Sequence, residues 1–417
     1  MGSTLTTYDA LLKERYLDSS KVVEKLIYPD NVLLGMLEKR GDTGMVGDTL
    51  PVPIITGLPQ GVGGVFATAQ SNVSNIAASK WAITAGDYYG VVHIGHKVLA
   101  AARNNAGAFL DNKVAESDGV YEQAAEMLSI YAWRNGGGAI GRRATAATND
   151  ITLTKPEEAA NFEVGMTVVA SDNDGATSTD TLRTGSTTVT AVNPSTGVVT
   201  LASAAGITSF ADNDYLFRSG DFNGDTGVVI LRGVEAFITP NDSPGTLWGV
   251  TNTTRGNNLV RLSGCRVQSS LIAGKSHEER IKILLSQMQS RFKAKMPSAG
   301  FMNPEDFAVL DTLMSARGIR PLEDPNTKFG YMKIDVYCAG GRLPIYTDRH
   351  CPKGHFFALR LEDWWLSSMG ELLRPQNEDG FSMLRRATST DFEFRLISYP
   401  LEACRAPRNQ GRCPLTD

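Results

Sequence analysis

Nowhere does the chain carry an apolar run approaching the length of a bilayer span. Its first residues, MGSTLTTYDALLKERY, lack the basic-then-apolar order of a secretory leader, so no signal peptide is expected. An excess of one charge is lacking too. There are 41 Lys and Arg against 45 Asp and Glu, a net of -4, so the chain as a whole is no electrostatic magnet for DNA. Cysteine is scarce, at five, and none belongs to a C-x-x-C pair. Cys265, Cys338, Cys351, Cys404 and Cys413 read as reduced thiols of a cytoplasmic product, with a Cys404–Cys413 bridge in the tail as the alternative. No G-x-S-x-G, H-E-x-x-H or kinase set occurs, so the chain is not expected to be an enzyme. What is present is the composition of a folded protein, 42% hydrophobic and 21% charged, long enough for several compact units.

Residues 5–40 carry apolar side chains at mostly helical spacing, broken at Pro29, with Asn31 as a cap for a second helical turn over NVLLGMLEKR. This arm has no apolar partner in its own sequence neighbourhood. DTLPVPII is extended, and Pro51 and Pro53 suit an edge strand. With the strand-like residues Tyr88, Val91, Val92 and Ile94 further on, segment 47–99 predicts one long hairpin with a small-residue tip. Residues 104–134 predict a long helix with Phe109, Leu110, Val114, Tyr121, Ala124, Ala125, Leu128, Tyr131 and Ala132 near one face, ended by the glycines 136–138.

Segment 148–220 changes character to short Thr/Val-rich strands with a turn at NPSTG. Its nine acidic and three basic residues give a net of -6, leaving about +2 elsewhere, as for a small β domain with an acidic, solvated surface. Two well-punctuated helices follow. One opens on the capping box Ser276–Glu279 and has an apolar face of Ile281, Leu284, Leu285, Met288 and Phe292. The other opens on Asn303 and Pro304 and stops at Gly318. YMKIDVY, RLPIYTD and HFFALRL predict strands, and the last strand is expected to turn Phe392, Phe394 and Leu396 inward and Asp391, Glu393 and Arg395 outward.

The stretch GLPQGVGGVF, from Gly57 to Phe66, resembles a phosphate cradle only in its glycine content. A P-loop ends in Gly-Lys-Ser/Thr, where this chain has Gly63-Gly64-Val65, and a dinucleotide fingerprint needs a following helix with an acid about 20 residues on. The reading preferred is a hairpin tip lying against a neighbouring surface, since glycine permits close backbone approach. RHCPKGH gathers Asp348, His350, Cys351 and His355, but at no standard zinc spacing, and reads as a turn between strands. His93 and His96 lack a Cys or acid companion and read as structural. DFNGDTG places Asp221, Asn223 and Asp225 as a calcium loop begins, yet Thr226 and Arg232 stand where Gly and Glu belong, and DNDG at 172–175 fails likewise. Glu362, Asp363, Trp364 and Trp365 could line a sugar site, although a helix start with buried tryptophans is preferred. No metal, cofactor or catalytic residue is assigned.

The order of pieces, with GFMNPEDFAVLDTL at 300–313 and LPIYTDRHCPKGHFFALRLEDW at 343–364, resembles the major capsid proteins of tailed bacteriophages with the Hong Kong 97-like fold, an α+β class. The resemblance covers nearly all of the chain outside 148–220. It implies an N-terminal arm over 1–46, an E-loop hairpin over 47–99, a peripheral domain with its spine helix over 100–147 continued at 221–265, an inserted all-β domain over 148–220, an axial domain over 266–380, and a return to the periphery over 381–417. It implies subunit contacts through Gly57, Leu58, Pro59, Gly61, Val62, Gly63, Gly64, Val65 and Phe66 at the E-loop tip, and through Leu11, Leu12, Tyr16, Leu26 and Ile27 in the arm. Implied partners are the chain itself in hexamers and pentamers, a portal and a scaffolding protein, in some members a decoration protein, and packaged double-stranded DNA held by weak non-specific contact. No membrane is involved; the place is the virion capsid, assembled in the host bacterial cytoplasm. Some members cross-link through an E-loop lysine, but no lysine lies between Lys39 and Lys80, so non-covalent locking is expected. The arm begins within about ten residues of the start, so scaffolding is expected to be a separate protein or already removed. The alternatives are an encapsulin-like compartment and a β-rich carbohydrate-binding protein using 148–220 and EDWW.

Overall fold

The computed structural model describes residues 31–41, 44–94, 106–224, 228–239, 245–316, 322–323, 332–338, 340–377, 384–385 and 391–416. The arm residues Leu11, Leu12, Tyr16, Leu26 and Ile27 lie outside these, as do His96 and Gly318. Asn31 caps helix α1 (Val32–Met36), its side chain accepting from the Leu34 amide. The helix is shorter than its apolar run, because Glu38–Arg40 leave it as strand β1 and pair with a distant strand.

Strands β2 (Thr49–Gly57) and β3 (Ala77–Thr84) form an antiparallel hairpin, Thr49 opposite Thr84 and Ile55 opposite Ala78, with a short helix α2 (Phe66–Ser71) between them. Strand β4 (Tyr88–Ile94) does not prolong the hairpin, contrary to the sequence expectation. It crosses to the C-terminal strand Phe392–Ser398 and pairs with it over seven residues. The long helix α3 (Ala106–Trp133) spans 28 residues, about 42 Å at the α-helical rise. Tyr121, Ala124, Ala125, Leu128, Tyr131 and Ala132 are buried as the periodicity predicts. Every residue from Met127 to Trp133 is also buried, so the helix ends enclosed on all sides. Gly136 and Gly138, at φ +86° and +95°, then take the left-handed turn that stops it.

Strands β5 (Ala139–Ala147), β6 (Asp150–Leu153), β7 (Thr167–Ser171), β8 (Thr187–Asn193), β9 (Val198–Leu201) and β10 (Tyr215–Arg218) close a barrel in the order β10-β5-β6-β9-β8-β7. The barrel draws in Ala139–Ala147 ahead of the Thr/Val-rich segment. Closure leaves no strand edge open. Ile140, Ile151, Val168, Val189 and Leu216 fill it, and belong to the same apolar cluster as Trp81 and Trp133.

Strands β11 (Cys265–Arg266), β12 (Ala299–Met302), β13 (Leu322–Glu323), β14 (Met332–Cys338), β15 (Gly341–Thr347) and β16 (His355–Leu359) belong to a seven-stranded mixed sheet, along with helices α4 (His277–Ser290) and α5 (Pro304–Ala316) packed beside it. Both halves of the Ser276–Glu279 capping box are made, and Ile281, Leu284, Leu285 and Met288 bury the predicted face of α4. Asn303 accepts from the Glu305 amide at 3.0 Å at the start of α5. The remaining strands are β17 (Trp364–Ser368), β18 (Arg374–Pro375), β19 (Leu384–Arg385), β20 (Phe392–Ser398), β21 (Pro400–Cys404) and β22 (Gly411–Pro414). The large sheet runs β11-β22-β16-β12-β15-β14-β13, while β1-β17-β21 make a smaller one.

Three further expectations from the sequence differ from the structure. EDWW starts no helix: Leu361–Asp363 form one 3-10 turn and Trp364 enters β17. The alternation on β20 breaks at Glu393, which is buried because β4 lies alongside; its carboxylate meets Arg395 Nη2 at 2.7 Å and His93 Nδ1 at 3.5 Å. Cys404 and Cys413 are free and buried on separate strands, so they form no bridge.

Candidate assembly surface

The hairpin β2–β3 has two different halves. At its base Leu50, Val52, Ile54, Trp81 and Ile83 are buried. Alternation along β2 drives one face inward and leaves Pro51, Pro53 and Ile55 outside. Trp81 meets the Phe237 ring edge-on at 5.3 Å, and Phe237 meets Trp364 at 5.1 Å, so three aromatics bolt the hairpin to β17. Backbone bonds from Ala82 to Trp248 and from Gly86 to Pro400 add to this anchor. The base is therefore part of the core, and the hairpin projects from it as a stem.

Beyond the stem the environment inverts. Leu58, Pro59, Gly61, Val62, Gly63, Gly64, Val65 and Phe66 are exposed, while Gly57 is half-buried. Val62 is 84% and Phe66 80% exposed, extreme values for large apolar side chains. The structure brings further apolar residues to the same region: Ile55, Val73 and Ile76 on the two limbs are also exposed. Sequence reading missed these three. Its usable signal was charge, since the 31 residues from Thr49 to Ser79 contain no Asp, Glu, Lys, Arg or His.

The tip is folded without being packed. Gln60 takes an amide bond from its own N–H to Ser74 Oγ at 2.9 Å and gives its side-chain amide to the Leu58 carbonyl at 3.0 Å. The four glycines have different duties. A Cβ at Gly61 would lie 3.2 Å from Val73 Cγ2, and one at Gly57 would lie 3.2 Å from Ala77 Cβ, so both allow the limbs to close up. A Cβ at Gly64 would meet nothing, so the chain's own fold does not need that glycine.

A second apolar face lies on β4. Tyr89, 60% exposed, and Val91 stand out from it and line a shallow cavity of about 320 Å³ with Leu396, Ile397 and Tyr399. The Tyr89 hydroxyl is pushed up to about 12, chiefly by its hydrogen bond with Tyr399.

The other singled-out residues take structural places. Asp348, buried, accepts from the amides of Leu33 and His350, which ties α1 to the end of β15; burial raises its pKa. His350 is held neutral, its pKa pushed down to about 3 by burial and then by the charge of Arg349, whose Nε–H donates to His350 Nε2 at 2.9 Å. Burial likewise drives His355 to about 2. Cys351 is buried at the turn. Asp221 accepts from the Tyr131 hydroxyl at 2.7 Å, and Asn223 gives its amide to the Gly136 carbonyl at 3.1 Å, so both close turns at the end of α3. Trp364 is fully buried and Trp365 nearly so, which removes EDWW as a stacking platform for a sugar. Among the described residues no helix is long and apolar enough to cross a membrane.

No family model matches the chain, and no curated protein does. Solved structures similar to the fold, all at low identity, include the following three. One is the capsid asymmetric unit of cyanophage A-1(L), with a TM-score of 0.49, 10% identity and 93% of each chain covered. Another is the virus-like particle from Pyrococcus furiosus, at 0.40 and 8%, covering 94% of this chain and 96% of that one. The third is a chain from Mycobacterium phage Che8, at 0.41 and 8%, covering 92% and 91%.

Proposed function

We propose that the chain is the structural subunit of a closed protein shell: the major capsid subunit of a tailed bacteriophage, assembling into hexamers and pentamers that enclose double-stranded DNA in an icosahedral particle. One observation carries the reading. A 31-residue uncharged hairpin is bolted at its base by buried tryptophan and exposes Ile55, Leu58, Val62, Val65, Phe66, Val73 and Ile76 at its far end. Soluble subunits rarely keep that much apolar surface in water, so a neighbour covers it. In the Hong Kong 97-like layout this is the E-loop, beside the N-terminal arm 1–46, the spine helix α3, the axial unit around α4 and α5, and the barrel as an outward insertion.

The energetics favour many contacts over one. Burying seven such side chains yields roughly 10–20 kcal/mol gross, against an association cost of about 4–15 kcal/mol. A single tip contact is thus modest, and a ring in which every subunit both gives and receives a tip gains by multivalency. The uncharged tip packs without ion pairs, which suits shells whose neighbouring contacts differ slightly between hexamer and pentamer. Portal, scaffolding and decoration proteins would meet the same shell in the host cytoplasm, and DNA would meet its near-neutral body by weak, sequence-independent contact.

Sedimentation velocity tests this with a Val62→Ser/Phe66→Ser double variant and with deletion of 57–66. The expected result is that wild type sediments as rings or shells, while both variants remain monomeric with unchanged circular dichroism. Assembly of the variants at wild-type levels would remove the tip from the account.

A further inference from the structure

A cavity of about 540 Å³ opens where the end of α3, the barrel, residues 232–239 and 245–247, and β22 converge. That volume is in the range of small-molecule sites. Its lining is unbalanced in charge. Of the acids present, Glu158 is taken by Arg134 at 2.8 Å and Glu235 by Arg412 at 3.1 Å. Asp174 is occupied by the Asn135 side-chain amide at 2.7 Å and the Ala176 N–H at 3.1 Å.

Arg255, buried in the same lining, donates to the carbonyls of Leu262, Gly245 and Ala236. Three further cations line the space without a carboxylate among the described residues. Arg232 lies over the Trp248 ring at 4.7 Å. Arg142 gives Nε–H to the Asn213 carbonyl at 3.0 Å and lies 4.9 Å over Tyr215, which holds the guanidinium in place while leaving its other N–H groups to the cavity. Lys155, half-buried, stands just ahead of the 3-10 turn Pro156–Asn161. Burial lowers the pKa of Arg232, as expected of a cation taken from water with no anion beside it. Such a group is costly to bury unless it is paired, and a fixed guanidinium fork matches the oxygens of a phosphate.

We infer that this cavity binds the phosphate group of a small molecule, with Arg232, Arg142 and Lys155 as its ligands. The shell reading is not required for this, since the site lies within one subunit.

Thermal melting of the full chain tests the inference with inorganic phosphate, pyrophosphate and ATP as probes, each against chloride at matched ionic strength because screening alone affects exposed charges. The expected result is a saturable rise in midpoint with the phosphates and none with chloride. A response to inorganic phosphate assigns free phosphate as a sufficient ligand; a response to ATP alone assigns the phosphate of a larger ligand. Arg232→Gln and Lys155→Gln should each weaken the effective affinity about tenfold, the scale of one charge-assisted hydrogen bond. Should Arg232→Gln fail to fold, the Lys155→Gln result decides, since that side chain has no hydrogen-bond or ion-pair partner among the described residues. Equal shifts with chloride, no shift with any probe, or undiminished shifts in the variants would overturn the assignment.

Discussion

Glu402 is fully enclosed in β21, and neither carboxylate oxygen has a hydrogen-bond partner among the described residues. Burial therefore raises its pKa well above the ordinary 4.5, and the folded chain holds a proton that the unfolded chain releases. The stability this group supplies is full below pH 4.5 and is lost as pH rises toward the folded value. Glu402→Gln, which cannot ionise, should flatten the decline in urea midpoint as pH rises above 4.5. Parallel curves for the two proteins would show that Glu402 is not the titrating group. His355 works in the opposite direction. Its folded pKa near 2 lies below the unfolded 6.5, so stability is full above pH 6.5 and falls as the pH drops through that window. With no partner for Nδ1 among the described residues and the ring edge-on to Phe357 at 6.4 Å, His355→Phe is expected to lose less stability than wild type between pH 7 and pH 4, measured by chemical denaturation.

At the scale of elements, the hairpin has a buried base that serves stability and an exposed tip to which the proposed function assigns assembly. Trp81→Ala removes the ring that joins the stem to Phe237 and should destabilise the subunit by about 3–5 kcal/mol, read from equilibrium unfolding. Substitutions at the exposed Val62 or Phe66 should stay within about 0.5 kcal/mol in the monomer. A stable Trp81→Ala subunit would mean the hairpin base is not part of the core. The same division explains what the sequence disclosed. Asn31, Ser276 with Glu279, and Asn303 with Pro304 are legible because a cap is satisfied by residues within four positions. Strand β4 was not, since its partner on β20 lies about 300 residues away and no local pattern announces that pairing. The same long-range partner buries Glu393 and defeats the alternation on β20. At the tip, glycine drew notice to Gly57–Phe66, whereas Ile55, Val73 and Ile76 became visible only when the two limbs were brought together.

For the whole molecule, the barrel and the body share one apolar cluster, which runs from Ile151 and Val189 through Trp133 to Trp81 and Trp364. Lys353 adds a polar tie, reaching Glu305 at 2.5 Å and Glu157 at 3.8 Å. With barrel and body joined in this way, the proposed shell reading assigns the variable contacts to the uncharged hairpin tip. Electron microscopy of the purified full-length protein shows whether it assembles. Closed shells, or hexamer and pentamer rings, are expected, and they should disappear when 57–66 are deleted. A protein that stays monomeric under every assembly condition, a scaffold included, would contradict the shell reading.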